Sequence, residues 1–383
     1  MKLQTVTNAM EFRRHARRAL PRPFWHYLEG SSDDGWTKSR NTDAFERFAL
    51  VPETLRDVSD VTMRTKLLGA ELSMPVFLAP TGMTRLFHHG KELAVARAAA
   101  RAGTMYSLST VGTTSIEDIG AATDGPKLFQ IYAFRDRGLI KAFIDRCREA
   151  KYDALCLTVD TVVGGNREMD IKTGMSIPPK LTLASLADFL LRWNWTVNYL
   201  KNSEMGLANI PRRPGMARES AGAVAGYINE QFSRSLTWDD AAWIAQTWGG
   251  PFALKGVMSV SDAKRAKDVG ISALMISNHG GRQLDGVPAP IDQVAEIRDA
   301  VGDEMELIVD GGVRRGTHVL KALARGATAC SIGRPYLYAL AAAGEAGVGH
   351  LLGLLRAELE RDLTLLGCAD VAQVNGGHIR SLT

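Results

Sequence analysis

Short apolar runs recur along the chain from residue 76 onward, and each is followed by a polar or glycine-bearing segment and a stretch of helical pattern. Runs of this length are typical of buried strands, and strands that alternate with helices form parallel sheets. Repeated strand–helix units predict an α/β fold of the TIM type, a (β/α)8 barrel, as a single domain over residues 1–383. The eight runs are 76–79, 105–108, 127–131, 154–159, 252–255, 273–276, 307–309 and 329–332.

Helical stretches separate the strand-like runs, and a glycine follows four of them, where a left-handed C-terminal cap is common. We expect helices over 92–102, 138–150, 261–269, 291–301 and 317–325. Two further segments lie outside the repeat. The sequence of residues 11–30 predicts a basic helix followed by an aromatic helical segment. We expect this N-terminal segment to cover one end of the barrel as a lid. Residues 174–250 form a long insertion after the fourth strand, and loops of this length are usually functional or disordered.

Apolar side chains in the insertion fall at spacings of three and four, which predicts one helical stripe. Basic residues and further aromatic residues accompany it, and this combination suits a helix that lies on a membrane surface. Packing of the stripe on the barrel or on a neighbouring subunit is the alternative that the pattern leaves open. The stripe is Leu183, Leu186, Leu190, Trp193, Val197 and Leu200, accompanied by Trp195, Tyr199, Lys180, Arg192, Lys201, Arg212 and Arg213.

Composition narrows the functional classes without selecting one. Hydrophobic residues make up 45% and charged residues 23% of the chain, as in a globular protein, and the net charge of +4 does not favour nucleic acid binding. The four cysteines are scattered singly, so neither a metal site nor a disulfide framework is expected. The polar N-terminus lacks a signal sequence, and no apolar run spans a bilayer, which predicts the cytoplasmic side, with a peripheral inner-membrane contact allowed.

Polar residues stand at the predicted carboxyl ends of the strands, where catalytic groups of such barrels lie. Gln130 and Lys255 interrupt apolar strands, which is costly unless a polar ligand is bound. Glycines and arginines follow the last two strands, the usual place of a phosphate site. The strand-end residues are Pro80, Thr81, Gly82, Ser109, Gln130, Tyr132, Thr158, Asp160, Lys255, Ser277, His279, Arg282, Asp310, Gly311, Gly312, Arg314, Gly333 and Arg334.

Residues 276–286 carry the clearest candidate chemistry, because His279 and Arg282 lie three residues apart after a buried run. A histidine accepts a proton near neutral pH, and an arginine grips a carboxylate with two hydrogen bonds. The pair therefore indicates chemistry at a carbon next to a carboxylate. A structural histidine beside a solvated arginine is the alternative, and the strand-end pattern disfavours it.

Residues 277–285, with the sequence Ser-Asn-His-Gly-Gly-Arg-Gln-Leu-Asp, resemble the active-site signature of the FMN-dependent 2-hydroxy acid dehydrogenase/oxidase family. The resemblance extends from Tyr27 to the C-terminal helices. The long basic insertion and residues 109–111 are most similar to the membrane-associated bacterial L-lactate and (S)-mandelate dehydrogenases. The resemblance implies FMN as cofactor and a small L-2-hydroxy acid as substrate, with L-lactate favoured.

The resemblance also implies a role for each strand-end residue. His279 would be the catalytic base and Asp160 would stabilise its protonated form, while Tyr132 would bind the substrate hydroxyl. Arg282, Arg167 and Tyr27 would bind the substrate carboxylate. Lys255 would lie near the flavin N1 and stabilise the reduced ring. Pro80, Thr81, Gly82, Ser109, Gln130, Thr158 and Ser277 would contact the flavin ring and its surroundings, Asp310 the ribityl chain, and Gly311, Gly312, Arg314, Gly333 and Arg334 the phosphate region.

Glycine at position 82, where oxidases of the family often have alanine, favours transfer of electrons to a quinone or another carrier. A (S)-mandelate-type dehydrogenase and an oxygen-using oxidase are the alternatives within the family. An FMN barrel isomerase and a non-enzymatic scaffold are the alternatives outside it. By resemblance the protein is expected to form a homotetramer.

Overall fold

In the computed structural model, which describes residues 2–132, 134–175, 188–202, 206–210 and 234–382, eight parallel strands close into a barrel. The order of the strands around the barrel is 306–310, 329–332, 76–81, 106–109, 127–132, 154–158, 252–257 and 273–277. All eight predicted runs are strands, so the predicted (β/α)8 barrel is confirmed. In chain order the described strands are β1 (Phe48–Leu50), β2 (Thr65–Leu67), β3 (Ala70–Leu72), β4 (Val76–Thr81), β5 (Tyr106–Ser109), β6 (Lys127–Tyr132), β7 (Ala154–Thr158), β8 (Phe252–Val257), β9 (Ala273–Ser277), β10 (Glu306–Asp310), β11 (Ala329–Ile332) and β12 (Ile379–Ser381).

The helices predicted between the strands are present and surround the barrel. Gly302 and Gly326, two of the predicted cap residues, have positive φ angles of 75° and 98°. Such angles are unfavourable for a residue that has a side chain. The described α-helices are α1 (Ala9–Ala19), α2 (Arg22–Glu29), α3 (Trp36–Asp43), α4 (Lys91–Arg101), α5 (Ile116–Ala122), α6 (Arg137–Glu149), α7 (Glu168–Lys172), α8 (Trp193–Lys201), α9 (Trp238–Trp248), α10 (Val260–Asp268), α11 (Pro290–Val301), α12 (Gly316–Ala324) and α13 (Arg334–Leu366). Short 3-10 helices cover Leu3–Thr5, Ala44–Arg47, Thr84–Leu86, Val371–Gln373 and Gly376–His378.

The amino end of the barrel is closed by the antiparallel β2–β3 hairpin. Leu67 and Leu72 of the hairpin are 0% and 1% exposed and pack with Phe77 and Met275, which point into the barrel from β4 and β9. Burying a side chain of this size stabilises the fold by roughly 1.5–3 kcal/mol. The barrel interior at this end is therefore a packed apolar core.

The carboxyl end is covered by the N-terminal segment, as predicted. Helix α2 buries Phe24, Trp25 and Leu28, and its backbone carbonyls accept hydrogen bonds from arginines that follow β9 and β11. The distance from Arg334 Nε to the carbonyl oxygen of Leu28 is 3.0 Å. Helix α2 is thus attached to the loops that carry the candidate site.

The longest helix, α13, could cross a membrane by length and composition alone, but 56% of its most apolar window is buried inside the molecule. It packs on α1, α4 and α12. Non-helical backbone at Ala343 and Gly344 divides it into two segments, and Gly344 has a φ of 61°. This helix is therefore part of the core of the described chain.

The described part of the insertion contains α8 and α9. Helix α9 packs on α6 and occupies the position of the barrel helix that precedes β8. On α8, Trp195 is 7% exposed and its ring lies 4.7 Å from that of Phe24 and 5.2 Å from that of Tyr199. Trp195 therefore packs inward and is not an interfacial aromatic residue, which corrects that expectation. Leu183, Leu186, Lys180, Arg212 and Arg213 lie outside the described residues.

Candidate active site

The turn after β9 is held in place by side chains of the N-terminal segment. Asn278 and Asn41 exchange two amide hydrogen bonds, with N–O distances of 2.7 and 2.8 Å, and both residues are buried. Asp285 accepts hydrogen bonds from the backbone N–H groups of Trp36 and Thr37, which open α3. A carboxylate at a helix N-terminus satisfies donors that have no partner within the helix. The turn is thereby fixed at both ends.

His279 lies within this turn and faces Asp160, which follows β7. Its Nδ1 is 2.9 Å from Asp160 Oδ1, and its backbone N–H donates to Ser277 Oγ at 3.1 Å. The φ angle of His279 is 56°, an uncommon conformation for a residue with a side chain. The turn thus holds the imidazole in one orientation, with Nδ1 on the carboxylate and Nε2 left for a ligand.

The charge state of this pair suits a base. Burial lowers the pKa of His279, and the charges of Lys255 and Arg282 act in the same direction, while Asp160 opposes them. Burial alone would raise the pKa of Asp160, but His279 and Lys255 lower it to about 2. At neutral pH the imidazole is therefore neutral and able to accept a proton, and the carboxylate beside it is charged.

A buried lysine and aspartate lie next to this pair inside the barrel mouth. Lys255 Nζ is 3.0 Å from Asp310 Oδ2 and 3.0 Å from Ser277 Oγ. Ser331 donates to the other oxygen of Asp310 at 2.5 Å. Burial would lower the pKa of Lys255, but Asp310 and Asp160 raise it, so the ammonium stays charged. The predicted residues of strands β8, β9 and β10 thus form one network.

Several polar atoms around the network have no hydrogen-bond partner within the described chain. Gln130 accepts from Ser109 Oγ at 2.8 Å, but its Nε2 atom is buried without a partner. Thr158 Oγ1 and Asp160 Oδ2 are also buried and unpartnered. Buried donors and acceptors are costly unless a ligand completes them. Together with the cation of Lys255, these groups fit the polar edge of a flavin ring.

Two arginines converge on Tyr27 of α2. The guanidinium carbons of Arg282 and Arg167 lie 4.9 and 5.9 Å from the centre of the Tyr27 ring. Arg282 donates to the carbonyl oxygens of Tyr27 and Gly30 at 2.7 and 3.1 Å. Burial lowers the pKa of Arg282 to about 10, and Arg167 adds to the effect. Two cations close to one ring form a site for an anion.

Gln283 joins the loops that carry the two arginines. Its Nε2 donates to the carbonyl oxygens of Asp160 and Val163 at 2.9 and 2.8 Å, and its Oε1 accepts from the backbone N–H of Gly165 at 3.1 Å. A Cβ at Gly165 would lie 2.2 Å from the carbonyl oxygen of Arg282, so only glycine fits there. The loop after β7 therefore lies directly on the turn after β9.

Asp170 of α7 lies beside the two arginines and was not singled out from the sequence. Its Oδ2 lies 3.8 Å from Arg167 Nη1, and its Oδ1 is buried without a partner among the described residues. Burial raises the pKa of Asp170 above its usual value, although Arg282 and Arg167 act against the increase. No spacing in the sequence signals this residue, because it lies in a short helix behind the two arginines.

The residues predicted to form the phosphate region lie in the loops after β10 and β11, and one of them, Arg334, makes contacts that the sequence did not predict. Arg334 donates to three carbonyl oxygens, those of Leu28, Gly280 and Gly30, at 3.0, 2.8 and 2.6 Å. Arg334 therefore also joins the end of helix α2 to the turn after β9 that carries His279. Arg314 donates to the neighbouring carbonyl oxygen of Val313 at 2.7 Å.

The glycines in this region differ in how closely other atoms approach them. A Cβ at Gly312 would lie 1.8 Å from the carbonyl oxygen of Asn41, and Gly311 has a φ of 144°. At Gly333, by contrast, a Cβ would lie no closer than 3.7 Å to a neighbouring atom of the described chain. The described chain therefore leaves space beside Gly333.

The residues after β4 complete the mouth. Thr81 Oγ1 and the hydroxyl of Tyr336 are 2.6 Å apart, and Pro80 and Gly82 flank Thr81. A Cβ at Gly82 would lie 2.4 Å from Val111 Cγ2, so an alanine would require Val111 to move. Burial raises the pKa of Tyr132, at the end of β6, to about 12, which keeps its hydroxyl protonated. The predicted residues thus surround a single region.

Residues 16–381 of the chain match the family described as FMN-dependent dehydrogenase. The chain belongs to this family. Glycolate oxidase 3 of Oryza sativa subsp. indica is 38% identical over 379 residues, covering 98% of this chain and 97% of the relative. Glycolate oxidase of Spinacia oleracea is 37% identical over 374 residues, covering 98% of this chain and 95% of the relative.

Solved structures agree with this FMN-dependent dehydrogenase assignment. The monotopic membrane protein (S)-mandelate dehydrogenase superposes with a TM-score of 0.94 at 32% identity. The match covers 99% of this chain and 100% of the mandelate dehydrogenase chain. A mandelate oxidase superposes with a TM-score of 0.85 at 35% identity, covering 98% of both chains. The resemblance of the catalytic turn to the FMN-dependent 2-hydroxy acid dehydrogenases and oxidases is thus confirmed, and the cofactor is FMN.

Proposed function

We propose that this FMN-dependent enzyme oxidises an L-2-hydroxy acid to the 2-oxo acid. The observation that carries the proposal is the position of a neutral imidazole, held by Asp160 through Nδ1, near two arginines that converge on Tyr27. A base next to an anion site suits removal of a proton at or beside the carbon that carries the carboxylate. The family assignment supports the same reaction class.

In the proposed reaction, Arg282 and Arg167 bind the substrate carboxylate and so fix the hydroxyl-bearing carbon. Tyr132 donates a hydrogen bond to the substrate oxygen, because its raised pKa keeps the proton on the phenol. The substrate loses two electrons and two protons, and His279 accepts one proton at Nε2. Asp160 then stabilises the imidazolium.

When FMN is bound, it supplies the acceptor for the two electrons and for the second proton. Lys255 would stabilise the negative charge that this creates, and the unpartnered atoms of Gln130 and Thr158 would bind the polar edge of the ring. Asp310 holds Lys255 and faces Ser277 and Ser331, so it also positions the ammonium group. The backbone N–H groups of Gly333 and Arg334, together with Arg314, would bind the phosphate.

For the substrate side chain, we propose L-lactate as the first candidate and (S)-mandelate as the second. The sequence resemblance favours lactate. The TM-score of 0.94 with (S)-mandelate dehydrogenase favours mandelate. The reduced enzyme would pass its electrons to a quinone or another carrier. Support for this acceptor is glycine at position 82, where oxidases of the family often have alanine.

We also propose a peripheral membrane contact on the cytoplasmic side, through α8 and the residues before it. Leu190, Leu191, Trp193 and Leu200 are 57%, 75%, 62% and 70% exposed. Exposed apolar side chains next to basic residues are typical of helices that lie on a membrane surface. A soluble mutant of a membrane-associated (S)-mandelate dehydrogenase of Pseudomonas putida superposes with a TM-score of 0.84, against 0.94 for the monotopic protein.

A homotetramer is proposed from the family resemblance.

Anaerobic flavin bleaching tests the reaction. The FMN-loaded enzyme would be mixed without oxygen with glycolate, both enantiomers of lactate and both enantiomers of mandelate. We expect rapid loss of the flavin absorbance with L-lactate or (S)-mandelate and none with the opposite enantiomers. Addition of a quinone, and separately of oxygen, would then identify the acceptor. A flavin that stays bound and is bleached by none of these acids would contradict the proposal and favour a barrel isomerase.

A further inference from the structure

A second cavity, of about 320 Å³, lies outside the active site between α1, the loop after β4, α8 and α13. Phe87 lines it and also stacks on Tyr27, with ring centres 6.3 Å apart. Among the described residues that line this cavity, none is acidic. Its polar lining is Arg18, Arg85, His88, His89, Arg192 and the two asparagines Asn194 and Asn198.

Arg85 is a buried cation in the wall of this cavity. Its residue is 1% exposed, and its Nε atom has no hydrogen-bond partner within the described chain. Its Nη2 donates to the carbonyl oxygens of Asn198 and Asn202, at 3.1 and 2.5 Å, near the end of α8. A buried guanidinium without a carboxylate is costly, because carbonyl groups do not neutralise its charge. An anion in the cavity would supply the missing charge.

The histidines add donors to the same wall. The rings of His88 and His89 stack with centres 4.2 Å apart. The backbone N–H of Gly90 donates to His88 Nδ1 at 3.0 Å, so a neutral His88 carries its proton on Nε2. Burial is the main cause that lowers the pKa of His88 to about 4, and the positive charges of His89 and Arg85 add to this effect. A bound anion would relieve this effect.

The cavity adjoins the exposed apolar side chains of α8 and of the residues before it. Trp193 and Leu191 line the cavity and are 62% and 75% exposed. Leu190 and Leu200 continue the apolar face. A cationic cavity next to exposed apolar side chains matches a ligand with an anionic head and an apolar tail.

We propose that this cavity binds a phosphate group, carried either by an anionic phospholipid or by a free phosphate. Arginine matches the geometry of phosphate oxygens, and His and Asn side chains supply further donors. The lipid source rests on the proposed membrane contact. Phosphate binding itself rests neither on that contact nor on oxidation of a hydroxy acid.

Titration of inorganic phosphate tests the site. The protein is used with FMN bound, so that the cofactor occupies its own phosphate site, and ionic strength is kept constant with chloride. Arg18→Gln combined with Arg192→Gln removes two cations from the wall, and Arg17→Gln removes one exposed cation of α1 that does not line the cavity. We expect the double variant to bind phosphate at least ~10-fold more weakly than the Arg17→Gln control.

Vesicle sedimentation distinguishes the two sources. Vesicles of phosphatidylglycerol and of phosphatidylcholine would be compared for the wild type, the double variant and the Arg17→Gln control. A preference for phosphatidylglycerol that is lost only in the double variant assigns the site to a lipid. Weakened phosphate binding with an unchanged vesicle preference assigns it to a free phosphate.

The proposal is overturned if the double variant matches the control in both phosphate affinity and vesicle preference. Flavin bleaching by hydroxy acids, measured on the same preparations, is expected to be unchanged in both variants. An enzyme that is bleached by none of the acids would contradict the proposed function while leaving the phosphate titration interpretable.

Discussion

The two ends of the barrel contrast in how their interiors are filled. At the amino end, Leu67, Leu72 and Phe77 are 0–1% exposed and pack in a cluster of apolar side chains. At the carboxyl end, the barrel strands bury Lys255 and Asp310 as an ion pair 3.0 Å apart. One end is closed by packing, and the other is filled by charges and by polar atoms that lack partners within the described chain.

This contrast shows where the chain keeps groups that reduce stability. A buried charge or an unpartnered donor is costly, whereas a buried leucine stabilises the fold. The unpartnered atoms of Gln130, Thr158 and Asp160 all lie at the carboxyl end. Substitutions at the two ends should therefore have opposite consequences, with activity lost at one and stability lost at the other.

The largest expected effect is that of His279→Gln. Glutamine can still occupy the turn but cannot accept a proton, so we expect kcat to fall by about 10⁴-fold. Stopped-flow bleaching of the flavin by the preferred substrate measures this directly. The absorbance spectrum of bound FMN and the melting temperature should stay close to those of the wild type. A variant that retains a tenth of the wild-type rate would show that His279 is not the base.

Arg282→Met should have the next largest effect. Removal of one partner of a buried charged interaction costs roughly 3 kcal/mol, so kcat/KM should fall by about 100-fold or more. Arg282→Lys keeps the charge but loses the two-pronged geometry, so its kcat/KM should lie between those of the wild type and the Met variant. Steady-state kinetics with the preferred acid would check the order. Equal kcat/KM values for the Lys and Met variants would argue against a carboxylate site here.

Leu72→Ala tests the amino end. Truncation of this buried leucine should lower the free energy of unfolding by about 3 kcal/mol, because it leaves a cavity in the apolar core. Leu365→Ala on α13, where the side chain is 69% exposed, is the matched control and should change it by less than ~0.5 kcal/mol. Denaturant unfolding measures both. If kcat fell as far in Leu72→Ala as in His279→Gln, the proposed separation of stability at the amino end from activity at the carboxyl end would be wrong.

The smallest expected effect is the pH dependence. The base must be neutral to work, and the pKa of His279 is lowered by burial, so it is protonated only below its usual range. We expect kcat/KM to be constant through neutral pH and to fall below about pH 6.5, by about tenfold per pH unit once past the pKa. Asp160→Asn removes the charge that raises this pKa and should move the fall to still lower pH. A fall beginning above about pH 7 would contradict the lowered pKa.

Most of the fold could be predicted from the sequence, because each barrel strand contains a short, mostly apolar run. The run predicted at 307–309 became Glu306–Asp310, and the run at 154–159 became Ala154–Thr158. Helices α3 and α5 were not predicted, since eight and seven residues carry little periodic signal. The pattern of the insertion was only partly informative, because Trp195, one of the aromatic residues that accompany the stripe, packs on Phe24 from a distant part of the chain.

The candidate site could be predicted where a polar residue interrupts an apolar strand, as Lys255 and Gln130 do. The residues that hold the site could not. Asn41 and Asn278 are 237 positions apart, and neither stands in a pattern that signals the other. Asp170 and the three carbonyl partners of Arg334 were hidden for the same reason. Contacts between distant segments leave no period in a local stretch of sequence.

Gln283 has a consequence for how new substrates could arise. Since its amide fastens the segment bearing Arg167 to the turn bearing Arg282, the two arginines are expected to move as a unit. In the proposed function, binding of the substrate carboxylate would therefore be separate from the contacts with the substrate side chain. Under this proposal, substitutions near Gly82 and Val111 would change which substrate side chain is accepted and would leave carboxylate binding unchanged.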